Sequence, residues 1–232
     1  GIFTPLPDLP GLRLYFRWDL SFLLPPKHPI FAKSKGVLPF ADRLLNGLTD
    51  WRWNPNRFQG EWQWVRHLGP RDQTLIEQHQ SSTFCRQGRA ELQWIMDYPW
   101  LLTAPEPDPR YAFSSTASRV VSQAIRGCGR SGSPFLLFIL LRDFHLKVPY
   151  LLADPEDYEE VTVLLLWLVK KMGVRTCSLY HDNFTEFLAT RRLPVLYRKS
   201  ISRSFLAGKP LLHSTQGSSI HFQAGDGDAA FT

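Results

Sequence analysis

Several side chains of this 232-residue chain are of the types that move protons: Tyr180 and His181 side by side, Tyr197 further on, and Asp143 and His145 two residues apart. An imidazole, a phenol or a carboxyl group can act as general acid or base when it lies within hydrogen-bond reach of a reacting hydrogen. A second feature is electrostatic. In "YLLADPEDYEEVTVLLLWL", Tyr150 to Leu168, an apolar strand passes through five carboxylates into a long apolar helix. The first turn of a helix offers free N–H groups and a positive dipole end, which in many α/β proteins hold an anionic cofactor. Here Asp154, Glu156, Asp157, Glu159 and Glu160 put negative charge in that place.

The elements that position these residues are legible in the hydrophobic pattern. "FLLFILLRD" and "HLKVPYLLAD" predict consecutive strands joined by a tight turn near Asp143 and Phe144. The next helix has Asp154 as cap, Pro155 at its first position and "KKMG" at its end, basic residues followed by glycine. Its apolar residues lie all round, so it is expected to be deeply buried on a sheet. "VRTCSLY" predicts a strand, "NFTEFLATRR" a helix, and "PVLYRKSISRSFL" with "SSIHFQAGDGDAAF" a closing pair of strands. Upstream, "EWQWVRHL" alternates as a strand does, "PRDQTLIEQHQ" and "RAELQWIMDYPWLL" predict helices, and "YAFSST" and "SRVVSQAIRG" predict strands before the turn "CGRSGSP".

Residues 1–58 differ in composition. Prolines interrupt "PLPDLPG", "LLPPKHPIF" and "VLPFADRLLNGL", so an extended arm is expected, with one strand, "LRLYFRW", and a short helix around Asp42 to Leu48. Its apolar residues need another surface to pack on. The opening "GIFTPLPDLPG" has neither an initiator Met nor a signal sequence, and reads as a piece of a longer protein.

With 44% hydrophobic and 21% charged residues the chain can bury a full core. The net charge of +6 is spread along the chain without a dense basic run, which argues against nucleic acid as a partner. Cys85, Cys128 and Cys177 show no C-x-x-C spacing, so they read as reduced thiols of a cytoplasmic protein. The longest apolar runs are too short to cross a bilayer. None of the seven histidines has a metal-ligand spacing, and "GDGD" at 225–228 reads as a turn and not a calcium loop.

The order from Glu61 onward is strand, two helices, three strands, helix, strand, helix and two strands. It resembles the GCN5-related N-acetyltransferase (GNAT) superfamily, whose mixed sheet has that order, and the phrases "ELQWIMDYPWLL", "RDFHLKVPYLLAD" and "GDGDAAFT" resemble a divergent bacterial branch of it. The resemblance implies an α+β fold with a mixed sheet, a GNAT-like acyl-CoA N-acyltransferase domain over 59–232, and residues 1–58 as arm or link from a preceding GNAT-like domain. It implies acyl-CoA, such as acetyl-CoA, as cofactor and an amine as substrate. Leu152, Ala153, Asp154 and Asn183 would then line the cofactor, with Tyr180, His181 and Tyr197 bordering the acyl site as candidate acids and bases.

Two motifs of the family are altered. Its pyrophosphate loop, Gln or Arg, two residues, Gly, one residue, Gly or Ala, corresponds to "DPEDYEE", which lacks glycine and has a proline in place of one N–H donor. One carboxylate roughly 6 Å from one phosphate charge costs about 3 kcal/mol at an effective dielectric of 20, against about 0.3 to 1 kcal/mol gained from the helix dipole. A capped helix with a solvated acidic first turn explains the same residues. The second motif places Ala, Tyr and Gly-Phe after an Asn. Counting from Asn183, the chain has Glu186, Thr190, Pro194 and Val195 there, and Asn183 also reads as a helix cap. A threonine is a poor proton donor where the family has tyrosine.

"DWRWNPNRFQGEWQWVR" interleaves Trp51, Trp53, Trp62 and Trp64 with arginines at period two, which predicts same-face aromatics that dock the arm on the domain. Two functions from different classes remain: an acyl-CoA-dependent N-acyltransferase with degenerate motifs, and a non-catalytic domain of the same fold serving as a structural or ligand-binding half of a larger protein.

Overall fold

The run Phe135 to Leu141 is buried at every position. Its side chains alternate between two faces, so both faces of the strand that carries it must be covered. The computed structural model describes residues 3–5, 8–23, 36–52, 61–80, 88–98, 101–103, 115–129, 132–204, 206–208 and 223. In chain order, strands β1 (Phe3–Pro5) and β2 (Leu9–Tyr15) precede α1 (Leu20–Leu23) and α2 (Val37–Arg52). Then come β3 (Trp62–Val65), α3 (Pro70–Gln80), α4 (Arg89–Asp97), β4 (Leu101–Thr103), β5 (Ser115–Ala117), β6 (Val120–Cys128), β7 (Pro134–Arg142), β8 (His145–Val148) and β9 (Leu151–Leu152). A 3₁₀ turn, Pro155–Asp157, leads into α5 (Tyr158–Met172), followed by β10 (Thr176–Leu179), α6 (Asp182–Thr190), β11 (Tyr197–Arg203) and β12 (Leu206–Gly208).

The architecture is mixed α+β. An eight-stranded mixed sheet has the order β11-β2-β10-β8-β7-β6-β3, and β9 pairs with β7 beside this path. β8 and β10 run parallel, connected through α5, while the other pairs of this sheet are antiparallel. Helices α5 and α6 cover one face, burying Leu164, Leu168 and Phe184 against Leu14, Leu137, Leu146 and Leu179. Among the described residues, helices α3 and α4 cover the opposite face over β3, β6, β7 and β9, with Ile76 and Leu92 against Leu136, Phe138 and Leu152. Beyond that half, the same face of β8, β10 and β2 presents polar side chains.

Two interactions fix the layers. Asp72 of α3, buried, accepts from Arg126 Nε at 2.7 Å and from Arg126 Nη2 at 2.5 Å, joining helix to sheet. At the other end of the fold, Asp42 of α2 accepts from the Leu20 and Ser21 N–H groups at 2.7 and 2.9 Å and so caps α1. α5 ends as its sequence predicts, with Gly173 at φ 67°, where a side chain would be strained.

Several expectations change. "LRLYFRW" does form a strand, but β2 lies inside the sheet between β10 and β11, so a boundary at 58/59 does not separate it from the rest. β11 pairs with β2; its expected partner, "SSIHFQAGDGDAAF" at residues 218–231, lies outside the described residues except for Gln223. The helix at Asp42 to Leu48 extends over Val37–Arg52, since Pro39 falls in its first turn, where no N–H is required. Trp51 is therefore helical and has no period-two sheet position, while Trp53 lies outside the described residues. Trp62 and Trp64 do share a face of β3, their rings 6.0 Å apart, and Trp62 packs on Trp167 at 4.7 Å. Of "YAFSST", the described part is the start of β5, which pairs with β4 away from the main sheet.

Candidate functional site

β8 and β10 pair in register from His145 with Thr176 to Val148 with Leu179. There the ladder stops, because Pro149 has no N–H to give. The chain continues as β9 on β7 alone, so the single strand expected over "HLKVPYLLAD" is two pieces. Where β9 parts from β10, the Leu151 N–H donates to Oε1 of Gln223 at 2.8 Å, and Gln223 is buried. A side chain from far along the sequence thus occupies the backbone group beside the divergence.

The acidic turn follows. Asp154 is exposed and makes no side-chain cap bond, contrary to the expected cap. Asp157 turns inward, 1% exposed, and stands where a side chain on Gly129 would be: a Cβ there would lie 1.9 Å from its Oδ1. Burial pushes the Tyr158 hydroxyl up to about 12, and the Asp154 charge adds to this. His79 of α3 feels the same carboxylate, although burial dominates and lowers its pKa.

His181 is the N-cap of α6. Its Nδ1 accepts from Phe184 N–H at 3.3 Å, which displaces Asn183 from the predicted capping role into the exposed first turn. The imidazole meets the Tyr158 ring edge-on, with centroids 6.1 Å apart, and Phe184 lies 5.1 Å from Tyr158. His181 thus belongs to an aromatic seam between α5 and α6.

Tyr180, its neighbour, points to the other side of the sheet. It lines a cavity of about 150 Å³ with Arg13, His145, Lys147, Pro149, Ser178 and Arg203. Arg13 Nε donates to Ser178 Oγ at 2.9 Å, and the Arg203 guanidinium lies 4.8 Å from the centre of the Tyr180 ring. His145 Nδ1 is 2.6 Å from Thr176 Oγ1. Partial burial, helped by Arg203, Arg142 and Arg13, lowers Lys147 to about 8. Burial together with Arg13, Lys147 and Arg142 lowers His145 to about 4, so its imidazole is neutral at pH 7.

A wider space of about 610 Å³ adjoins, sharing Arg13 and His145 and walled also by Tyr15, Arg17, Arg142 and Phe144. Its two carboxylates are engaged: Asp19 accepts from Arg175 at 2.6 Å, and Asp143 from Ser118 Oγ at 2.6 Å and Ser118 N–H at 2.9 Å. Asp143 holds the β7–β8 turn at φ 54°, as the predicted tight turn requires.

Tyr180 and His145 therefore share one site, whereas His181 is separated from Tyr180 by the sheet. Tyr197 is exposed at the start of β11, its ring 5.7 Å from that of Tyr15. Leu152 and Ala153 are core residues on opposite faces, and Asp154 and Asn183 face solvent. The cations Arg13, Lys147 and Arg203 are not among the predicted site residues. For Arg13 and Lys147 the signal was present: in "LRLYFRW" and "HLKV" a basic residue alternates with buried leucines, which places it on the sheet face opposite α5 and α6.

Cys177 is a buried thiol whose pKa burial raises strongly, consistent with an inert core position. Among the described residues no group of acidic, cysteine or histidine side chains could hold a metal, and no helix is long and apolar enough to cross a membrane. No family model, no curated protein and no solved structure matches the chain.

Proposed function

We propose that the chain is a GNAT-like domain that does not carry out acyl transfer and serves as a structural or ligand-binding part of a larger protein. Support for the GNAT-like reading comes from the antiparallel strands that lead into the parallel β8/β10 pair, linked by the buried α5 and diverging at Pro149. The observation that carries the non-catalytic reading is the closed junction at the start of α5. Asp157 fills the space at Gly129, and Glu156, Glu159 and Glu160 add negative charge to the same first turns. The Leu151 N–H beside it is already bonded to Gln223. Repulsion between carboxylate and phosphate exceeds the attraction of the helix dipole.

The second reading is an acyl-CoA-dependent N-acyltransferase. One observation favours it: Tyr180 stands just past the end of β10, where the strands part, as a phenol that could protonate a departing thiolate would. Incubation with acetyl-CoA and a panel of primary amines, read as thiol release, separates the two. No protein-dependent release is expected. Release that depends on Tyr180, lost in Tyr180→Phe, would overturn the non-catalytic reading.

A further inference from the structure

The core between α3, α4 and the sheet ends before the strands do. Val65 of β3 and Ala124 of β6 are paired and buried in it. Side chains alternate along a strand, so the next pair on that face is Gln63 with Arg126. Glu61 follows, beside Cys128, whose N–H donates to the Glu61 carbonyl at 3.0 Å. Together with Arg71 from the first turn of α3 and Pro134 at the start of β7, these residues line a pocket of about 610 Å³, a size that suits a small molecule. Arg126 is fixed in place there. A guanidinium has five N–H donors, of which Asp72 accepts one from Nε and one from Nη2. One edge of the group is thus occupied, and the donors on Nη1 meet no acceptor among the described residues. Arg71 and Glu61 are exposed, and among the described residues their side chains form no ion pair or hydrogen bond.

We propose that this pocket binds a free amino acid. Asp72 cancels the charge of Arg126, which leaves Arg71 positive and Glu61 negative among the lining residues. A simple anion would be attracted by one and repelled by the other, whereas a zwitterion satisfies both. Its carboxylate can accept charge-assisted hydrogen bonds from Arg71 and from Nη1 of Arg126. Because Asp72 already orients Arg126, that guanidinium loses little further freedom when the ligand arrives. The ammonium of the ligand turns to Glu61, about 7 Å along the strand from Gln63. The Gln63 amide, which can both donate and accept, lies between the two ends. The pocket is on the sheet face opposite α5, so the proposal stands apart from the α5 junction and from any acyl group.

Calorimetric titration of the whole chain with each of the common amino acids tests this. At least one is expected to bind. Its amide, which lacks the carboxylate, and its N-acetyl derivative, which lacks the ammonium, should each bind about tenfold or more weakly, the scale of one charge-assisted contact. Arg71→Gln should weaken binding of the parent amino acid by a similar factor. Glu61→Gln should do the same for the parent and leave the N-acetyl derivative unchanged, since that derivative has no ammonium for Glu61 to hold. Both substitutions are at exposed positions, and thermal unfolding establishes that each variant is folded. Arg192→Gln, an exposed residue outside the pocket, should leave the affinity unchanged. Alkylation of the Cys128 thiol, read by mass spectrometry of its peptide, should slow when the amino acid is present, because Cys128 lines the pocket. Absence of binding of every amino acid by the folded wild-type chain would overturn the proposal. So would an amide or N-acetyl derivative that binds as well as its parent, an affinity that neither Arg71→Gln nor Glu61→Gln changes, or Cys128 alkylation that a saturating amino acid leaves unaltered. No probe carries a thioester, so the result is independent of the acyl-transfer question.

Discussion

At the scale of single residues, His145 and Lys147 show how the sheet sets chemistry. Both occupy the polar side of β8, where burial and neighbouring arginines oppose a positive charge. For His145 the consequence is a stability effect with a definite sign. Its folded pKa of about 4 lies below the ordinary 6.5, so folding favours the neutral ring. That contribution is fully present above pH 6.5 and is lost as pH falls through about 4. Urea unfolding of wild type and His145→Asn across this window should show wild type losing stability relative to the variant as the solution is acidified; parallel curves would contradict it. His145 and Tyr180 were identifiable as titratable residues, but their meeting was not, because pairing of β8 with β10 crosses the whole of α5. His181 misled for a local reason: a histidine next to a helix start can cap it, and here it does.

At the scale of elements, the hydrophobic pattern located most helices and strands, and its failures have physical causes. Helix α5 was legible because an apolar run with an acidic start and a basic, glycine-terminated end leaves few alternatives. The split of β8 from β9 depended on whether Pro149 ends a ladder or lies at its edge, which its neighbour strand decides. β2 was recognisable as a strand, yet nothing local assigns its partners, and the prolines around it resemble those of a linker. The docking of α3 rests on Asp72, which binds Arg126 with both oxygens and also accepts from the Gly69 N–H at 2.7 Å. Asp72→Asn removes the charge and leaves Arg126 with a weaker partner. Because the arginine is 27% exposed and water can reach it, the expected cost is about 2 to 3 kcal/mol, below the upper range for a fully buried pair. Urea midpoints measure it; a change under about 0.5 kcal/mol would show that α3 is held by its apolar face alone.

At the scale of the whole molecule, one side of the sheet is closed by α5 and α6, and α3 and α4 cover the other over part of its width. The closed side holds the large core under α5 and α6, and with it the junction that could have received a nucleotide cofactor. The other side holds the second core and, beside it, the cavity lined by Arg13, Lys147 and Arg203. An α+β class with a mixed sheet could be read in advance from the alternation of periods, whereas the distribution of charge over its faces required the strand order, which is set by contacts far apart in sequence. The central claim is that the start of α5 is a closed helix terminus and not a phosphate loop. Hydrogen exchange with and without acetyl-CoA, read in peptides covering residues 150–162, tests it most directly. The amides there are predicted to exchange at the same rate with cofactor present. Slowed exchange confined to 150–162 would contradict the claim and show that the acidic turn receives the cofactor after all.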